Sequence, residues 1–136
     1  MVVDLFHGIS YEEEKAVITE EYRDISNKDL HIIDAIGIKQ PKNMSSIARD
    51  LNITVGTLTT AMNNLSKKGY VIRQRSEKDR RVVYISLSKK GRDAYNHHRE
   101  FHKQMIQGLL DSLSEPEQKM LVKVMQYFHD YFKQKS

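Results

Sequence analysis

Residues 54–87, "TVGTLTTAMNNLSKKGYVIRQRSEKDRRVVYISL", change their hydrophobic period midway, and that change decides the fold. In the first half Val55, Leu58, Met62 and Leu65 recur at helical spacing. Thr54 stands where a hydroxyl caps a first turn, and Gly69 where a helix stops. In the second half, "YVIRQR" and "RVVYISL" are rich in β-branched and aromatic residues, which predicts strands over 71–75 and 81–87. The loop "SEKDR" joins them into a hairpin whose tip is densely charged: four arginines, one lysine, Glu77 and Asp79 fall within residues 73–81. A solvated turn needs polarity. It does not need a stiff arm that aims two adjacent arginines, Arg80 and Arg81, outward.

Upstream, "MSSIARDL" (44–51) reads as a short helix with Ile47, Ala48 and Leu51 inward, stopping at Asn52. The preceding "KQPKN" reads as a turn. Ser26 and Asp29 form a capping-box pair that opens a helix through "LHIIDAIG", ending near Gly37. Residues 1–22 carry Val2, Leu5, Phe6, Ile9, Ala16 and Val17 at roughly helical spacing. Downstream, Ser88 opens a long helix over 89–111, and "SEPE" (114–117) repeats the capping logic before a last helix to about 133. That helix places Leu121, Val124, Met125 and Phe128 on one side. The expected fold is mainly α with a small β-hairpin, in the order α-α-α-α-β-β-α-α. A short helix, a tight turn, a second helix and a hairpin make a winged helix-turn-helix lobe, expected over 26–92 of a single chain of 1–136.

The segments 1–25 and 93–136 are expected to be a helical dimerisation region. Their apolar stripes, which include Met105, Ile106, Leu109 and Leu110, are too extensive for one lone lobe to cover. An intertwined helical homodimer follows, with part of that surface open to lining an acyl tunnel.

Composition narrows the function. At 136 residues one domain is the default. The absence of Cys excludes disulfides, Cys-ligated zinc and thiol redox sensing. No signal pattern stands at the amino terminus and no apolar run approaches membrane-spanning length, so a cytoplasmic protein without a membrane partner is expected. The formal net charge is +4, yet residues 39–92 hold thirteen Lys and Arg against three acids, leaving the flanks net negative. Such asymmetry points to a polyanion held by the middle of the chain.

That polyanion is read as a double-stranded DNA operator. The second helix of a helix-turn-helix enters the major groove and needs a small or polar outer face. Opposite the apolar stripe lie Gly56, Thr57, Thr60, Asn63, Asn64 and Lys67, with Thr54 at the helix start. Gly56 permits close approach, and the Thr and Asn side chains are short donors and acceptors. Asn pairs bidentately with adenine, which favours an A·T-containing site. The narrow minor groove of A·T-rich DNA attracts inserted arginine, which Arg80 or Arg81 would supply, oriented by Asp79. Lys67, Lys68, Arg73, Arg75 and Lys78 would flank the tip as phosphate contacts.

The pattern Asp79-x-Arg81, then Leu87-Ser88-x-x-Gly91, preceded by "LSKKGYVIR", resembles the MarR family of bacterial transcription regulators. The resemblance covers the chain and is densest over 44–92; a short first helix is its one departure. Within the family, "TVGTLTTAMNNLSKKGYV" and "RSEKDRRVVYISLSKKGR" are similar to the FabT-type repressors of fatty-acid synthesis genes. The resemblance implies a repressor whose DNA binding is strengthened by an acyl chain on acyl carrier protein. It also makes Arg81 the minor-groove arginine with Asp79 as its partner, and brings Ser45, Thr57 and Thr60 to the operator.

Zinc-responsive members of the same family give the alternative. His98 and His102 are spaced i, i+4 and share a helix face, and His31 would approach that face on packing. No Cys completes the set; Glu20, Glu21 and Glu100 are the carboxylate candidates. The principal reading has no cofactor and no metal. "HHREFH" lacks the glutamate of the metalloprotease pattern, and neither a nucleophile–base pair nor a Gly-rich phosphate loop is present, so the chain reads as a non-enzyme.

Overall fold

Helix starts in this chain are set by side chains that satisfy the orphan N–H groups of a first turn. In the computed structural model, which describes residues 1–17 and 22–135, the first helix is α1 (Val2–Val17). Residues 18–21 of the segment expected as a helix over 1–22 lie outside the described residues, and Tyr22, beyond them, is in 3-10 conformation just before the turn that leads to α2. α2 (Asn27–Ile36) opens on the expected capping box. The Ser26 hydroxyl accepts from the Asp29 N–H at 3.1 Å, and the Asp29 carboxylate accepts from the Ser26 N–H at 3.0 Å. Asn43 caps α3 (Met44–Leu51) by accepting from the Ser46 N–H at 2.8 Å. Thr54 caps α4 (Val55–Lys67), and Gly69 follows it with φ 84°. Ser88 opens α5 (Lys89–Asp111) by accepting from the Gly91 N–H at 3.1 Å, and Ser114 and Glu117 form the box that opens α6 (Glu115–Lys135).

The sheet is larger than the expected hairpin. β2 (Val71–Arg75) pairs antiparallel with β3 (Val83–Leu87), Arg73 opposite Ile85. On the other edge of β3 lies β1 (Lys42–Asn43), with Lys42 opposite Ile85 and Asn43 opposite Tyr84, giving the order β1-β3-β2. "KQPKN" thus supplies a strand where a turn is expected, because two residues held by a remote partner have no alternation of their own to read. β3 also starts later than expected. The Val82 N–H donates to the Asp79 carbonyl at 2.9 Å and the Ser76 N–H to the Val82 carbonyl at 2.8 Å, so Arg81 and Val82 belong to the turn.

The chain divides into two compact units, Met1–Arg99 and Glu100–Ser136. In the first, Leu30, Ile33, Ile36, Ile47, Leu58, Met62, Leu65, Tyr70 and Ile85 are fully buried and hold α2, α3, α4 and the sheet together. Val55, expected inward, sits in the first turn of α4 and is 46 % exposed, while Leu51 is half-buried. Gly91 lets α5 begin against the α4–β2 junction: a Cβ there would lie 2.1 Å from the Tyr70 carbonyl oxygen. In α1 every described side chain except that of Glu13 is exposed. The second unit comprises the end of α5 and α6, and none of its described residues is buried. Among the described residues no helix is long and apolar enough to cross a membrane.

Candidate nucleic-acid interface

α4 turns Leu58, Met62 and Leu65 into the core, which leaves Gly56, Thr60, Asn63 and Lys67 on one exposed stripe, with Thr57 and Asn64 beside it. Part of this polarity is spent inside the helix. The Thr54 hydroxyl accepts from the Thr57 N–H at 3.1 Å and donates to the Thr57 hydroxyl at 2.9 Å. The Thr60 hydroxyl turns back to the Gly56 carbonyl at 3.4 Å. A Cβ on Gly56 would meet only Thr54 Oγ1, at an ordinary 3.9 Å, so the lobe's own packing does not demand glycine there. Ser45 is exposed in the first turn of α3, the helix that precedes α4.

The wing tip is organised around Asp79 and Arg81. Asp79 Oδ1 accepts from the Arg81 N–H at 3.0 Å and from Nε at 3.1 Å, while Oδ2 accepts from Nη2 at 3.2 Å. This fork holds the Asp79 carboxyl below its ordinary range, first through the guanidinium and then through the backbone N–H. The Asp79 N–H in turn donates to the Ser76 hydroxyl at 3.3 Å. The Arg81 side chain is oriented by these bonds and still 91 % exposed. Arg75 Nη1 donates to the Arg80 carbonyl at 2.7 Å, bracing the loop from within. Arg73 Nη2 donates to Asn63 Oδ1 at 2.6 Å, tying the wing to α4. Two arginines read as phosphate contacts therefore each commit one N–H to shaping the lobe.

A cluster that sequence reading missed fixes the far end of α4. The buried Tyr70 hydroxyl donates to Asp24 Oδ1 at 2.7 Å, and Lys90 Nζ stands 3.6 Å from Asp24 Oδ2 and 4.4 Å above the Tyr70 ring. Lys90 donates to the Lys68 carbonyl at 3.1 Å, and Lys68 donates to the Asp24 carbonyl. The Tyr70 hydrogen bond, with help from Lys90, holds the Asp24 carboxyl below its ordinary value. No local signal marks Asp24, because its partner lies 46 residues away. Ser76 was also missed, although a serine opening a polar turn is a recognisable cue.

The histidine set is brought together in part. His31 and His98 meet edge to face with ring centroids 6.0 Å apart, His98 buried and His31 with Nε2 3.4 Å from Asn27 Nδ2. His102 lies in the second unit, beside the Phe101 ring. Among the described residues no group of three or more His, Cys, Asp or Glu gathers as a metal ligand set.

Two consecutive helices with a polar outer face on the second, followed by an arginine-tipped wing, define a winged helix-turn-helix protein. The family model for the transcriptional regulators SarA/Rot matches residues 14–97, and the chain belongs to that family, a helix-turn-helix class of regulators of the MarR type. Among curated relatives, the HTH-type transcriptional regulator PchR of Bacillus subtilis is 31 % identical over 71 % of this chain and 59 % of its own length. SarZ of Staphylococcus saprophyticus is 37 % identical over 46 % of this chain and 42 % of its own length. The chain thus spans about three-fifths or less of the length of these two relatives. Among solved structures, Streptococcus pneumoniae FabT in complex with DNA is 36 % identical, with a TM-score of 0.90 over 99 % of this chain and 94 % of that one.

Proposed function

We propose that this chain acts as a homodimeric repressor of fatty-acid biosynthesis genes, binding a pseudo-palindromic, A·T-containing operator. A long-chain acyl group carried on acyl carrier protein is the effector that strengthens binding. The carrying observation is the likeness to FabT bound to DNA, which extends over nearly the whole of both chains. The local geometry supports it: α4 offers a polar stripe to the major groove, and Asp79 aims Arg81 outward as a minor-groove probe. In this reading Ser45, Thr54, Gly56, Thr57, Thr60, Asn63, Asn64, Lys67, Arg73, Arg75, Asp79, Arg80 and Arg81 form the DNA surface, on a lobe of residues 26–92. The apolar faces of α1, α5 and α6, exposed in the single chain, are covered by the second copy. Two-fold symmetry then sets the half-sites about one helical turn apart.

The test is a fluorescence anisotropy titration of the promoter DNA of fatty-acid synthesis genes, with and without long-chain acyl carrier protein, repeated with zinc and with EDTA. The expected result is affinity raised several-fold by acyl carrier protein and indifferent to zinc. A zinc response without an acyl carrier protein response would transfer the effector site to His31, His98 and His102.

A further inference from the structure

The hydrogen bond between the wing and α4 fixes more than their separation, because it decides which end of one amide faces outward. Arg73 lies on the same face of β2 as the buried Val71, the face turned toward α4. From there Nη2 reaches Asn63 Oδ1 at 2.6 Å. A guanidinium has only donors, so the atom of Asn63 that meets it must be the carbonyl oxygen. The amide nitrogen is left over, and among the described residues it has no hydrogen-bond partner. Asn63 sits near the middle of the exposed stripe, between Thr60 and Lys67 and opposite the buried Leu58, Met62 and Leu65.

We propose that Asn63 reads its base as a hydrogen-bond donor, and that Arg73 is the positioning residue that makes it one. The bidentate adenine contact expected of a free asparagine needs the amide oxygen to accept from adenine N6 while the nitrogen donates to N7. With that oxygen held against a cation, Asn63 presents Nδ2 to the groove. Its matching edge is an acceptor without a neighbouring donor: O6 or N7 of guanine, or O4 of thymine. The Arg73 charge also disfavours a second approaching donor at the same oxygen, which is what adenine N6 would bring. This assignment rests on α4 being the recognition helix.

The experiment is selection from a randomised double-stranded DNA library by the full chain and by Asn63→Ala and Arg73→Met. The base position of Asn63 is the one whose preference collapses in Asn63→Ala. At that position the wild type is expected to select guanine or thymine. Arg73→Met frees the oxygen and is expected to move the preference toward adenine by about fivefold or more. Because preferences are ratios within one variant, a uniform loss of affinity from the missing charge cancels. Adenine already preferred by the wild type, or a preference unmoved by Arg73→Met, overturns the assignment. So does an Asn63→Ala variant weakened equally at all positions, which would place the amide on a phosphate. A wild-type chain that enriches no motif overturns the DNA-binding reading itself, which keeps the two failures apart.

Discussion

Among the described residues, nine large side chains of the Met1–Arg99 unit are fully buried, whereas none of the Glu100–Ser136 unit is buried. The apolar content of the second unit is not low: Met105, Ile106, Leu109, Val124, Met125, Phe128 and Phe132 are all large and all exposed. What differs is geometry. In the first unit α2, α3, α4, the start of α5 and a sheet enclose a volume, whereas two helical segments in sequence present faces and enclose nothing. The first therefore carries its own stability, and the second requires apolar cover from outside, which the homodimer reading supplies.

The sharpest way to break this contrast is at the lobe's tightest point. Gly91→Ala would push a methyl into the Tyr70 carbonyl, where backbone and not a flexible tip must yield. A loss of about 3 kcal/mol in unfolding free energy is expected, at the upper end of overpacking costs. Urea unfolding followed by circular dichroism measures it. An unchanged midpoint would mean that α5 does not start against the α4–β2 junction. Phe128→Asp addresses the other side. It should leave the lobe's helices and sheet in place while raising the dimer dissociation constant about 30-fold, the scale of an apolar interface anchor. Sedimentation velocity over a concentration series would show it, and a dimer that persisted unaltered would locate the cover elsewhere.

The same contrast explains what sequence could reveal. Helix starts are local, so Ser26 with Asp29, Thr54, Ser88, and Ser114 with Glu117 could each be read before any packing was known. Three of the four residues read as the core stripe of α4, Leu58, Met62 and Leu65, were legible for the same reason, while Val55 in its first turn is exposed. β1 was not, because Lys42 and Asn43 become a strand only through residues about forty positions further on. The candidate site divides likewise. Asp79 and Arg81 are two residues apart and their pairing was readable, whereas the Arg73–Asn63 bond joins two elements and the Asp24–Tyr70 bond joins residues 46 positions apart. What sequence assigned to phosphate, structure shows partly engaged in holding the surface in shape.

A smaller effect separates binding from stability within the lobe. Arg81→Ala should cost about 1–3 kcal/mol of operator affinity and leave the urea midpoint almost unmoved, since the pair it breaks is solvent-exposed. Asp79→Asn should reproduce part of the binding loss, because the guanidinium loses the carboxylate that orients it. Operator binding by Arg81→Ala equal to wild type would move the groove contact off the wing tip.

The smallest effect falls on the cluster at the end of α4, and its sign follows from the direction of one titration. Folding lowers the Asp24 carboxyl below its ordinary value of 3.8, chiefly through the Tyr70 hydroxyl and secondarily through Lys90. A carboxylate depressed in the folded state contributes stability that is fully present above the ordinary carboxylate range. That contribution is lost as pH falls through the lower folded value. Asp24→Asn keeps an oxygen to accept from Tyr70 but has no charge to titrate. The wild-type advantage over this variant should therefore be level from pH 7 down to about pH 5 and shrink toward pH 3. Tyr70→Phe removes the main cause of the shift while retaining the ring under Lys90, so its acid limb should return toward ordinary carboxylate behaviour. The Lys90 part of the effect is half exposed and should fade in high salt, whereas the Tyr70 part should not. Urea midpoints of the three proteins at pH 3, 4, 5 and 7, at two salt concentrations, separate the contributions. If Asp24→Asn ran parallel to wild type at every pH, the tie between the turn before α2 and the end of α4 would be a neutral contact, and the orientation of α4 would rest on the buried core alone.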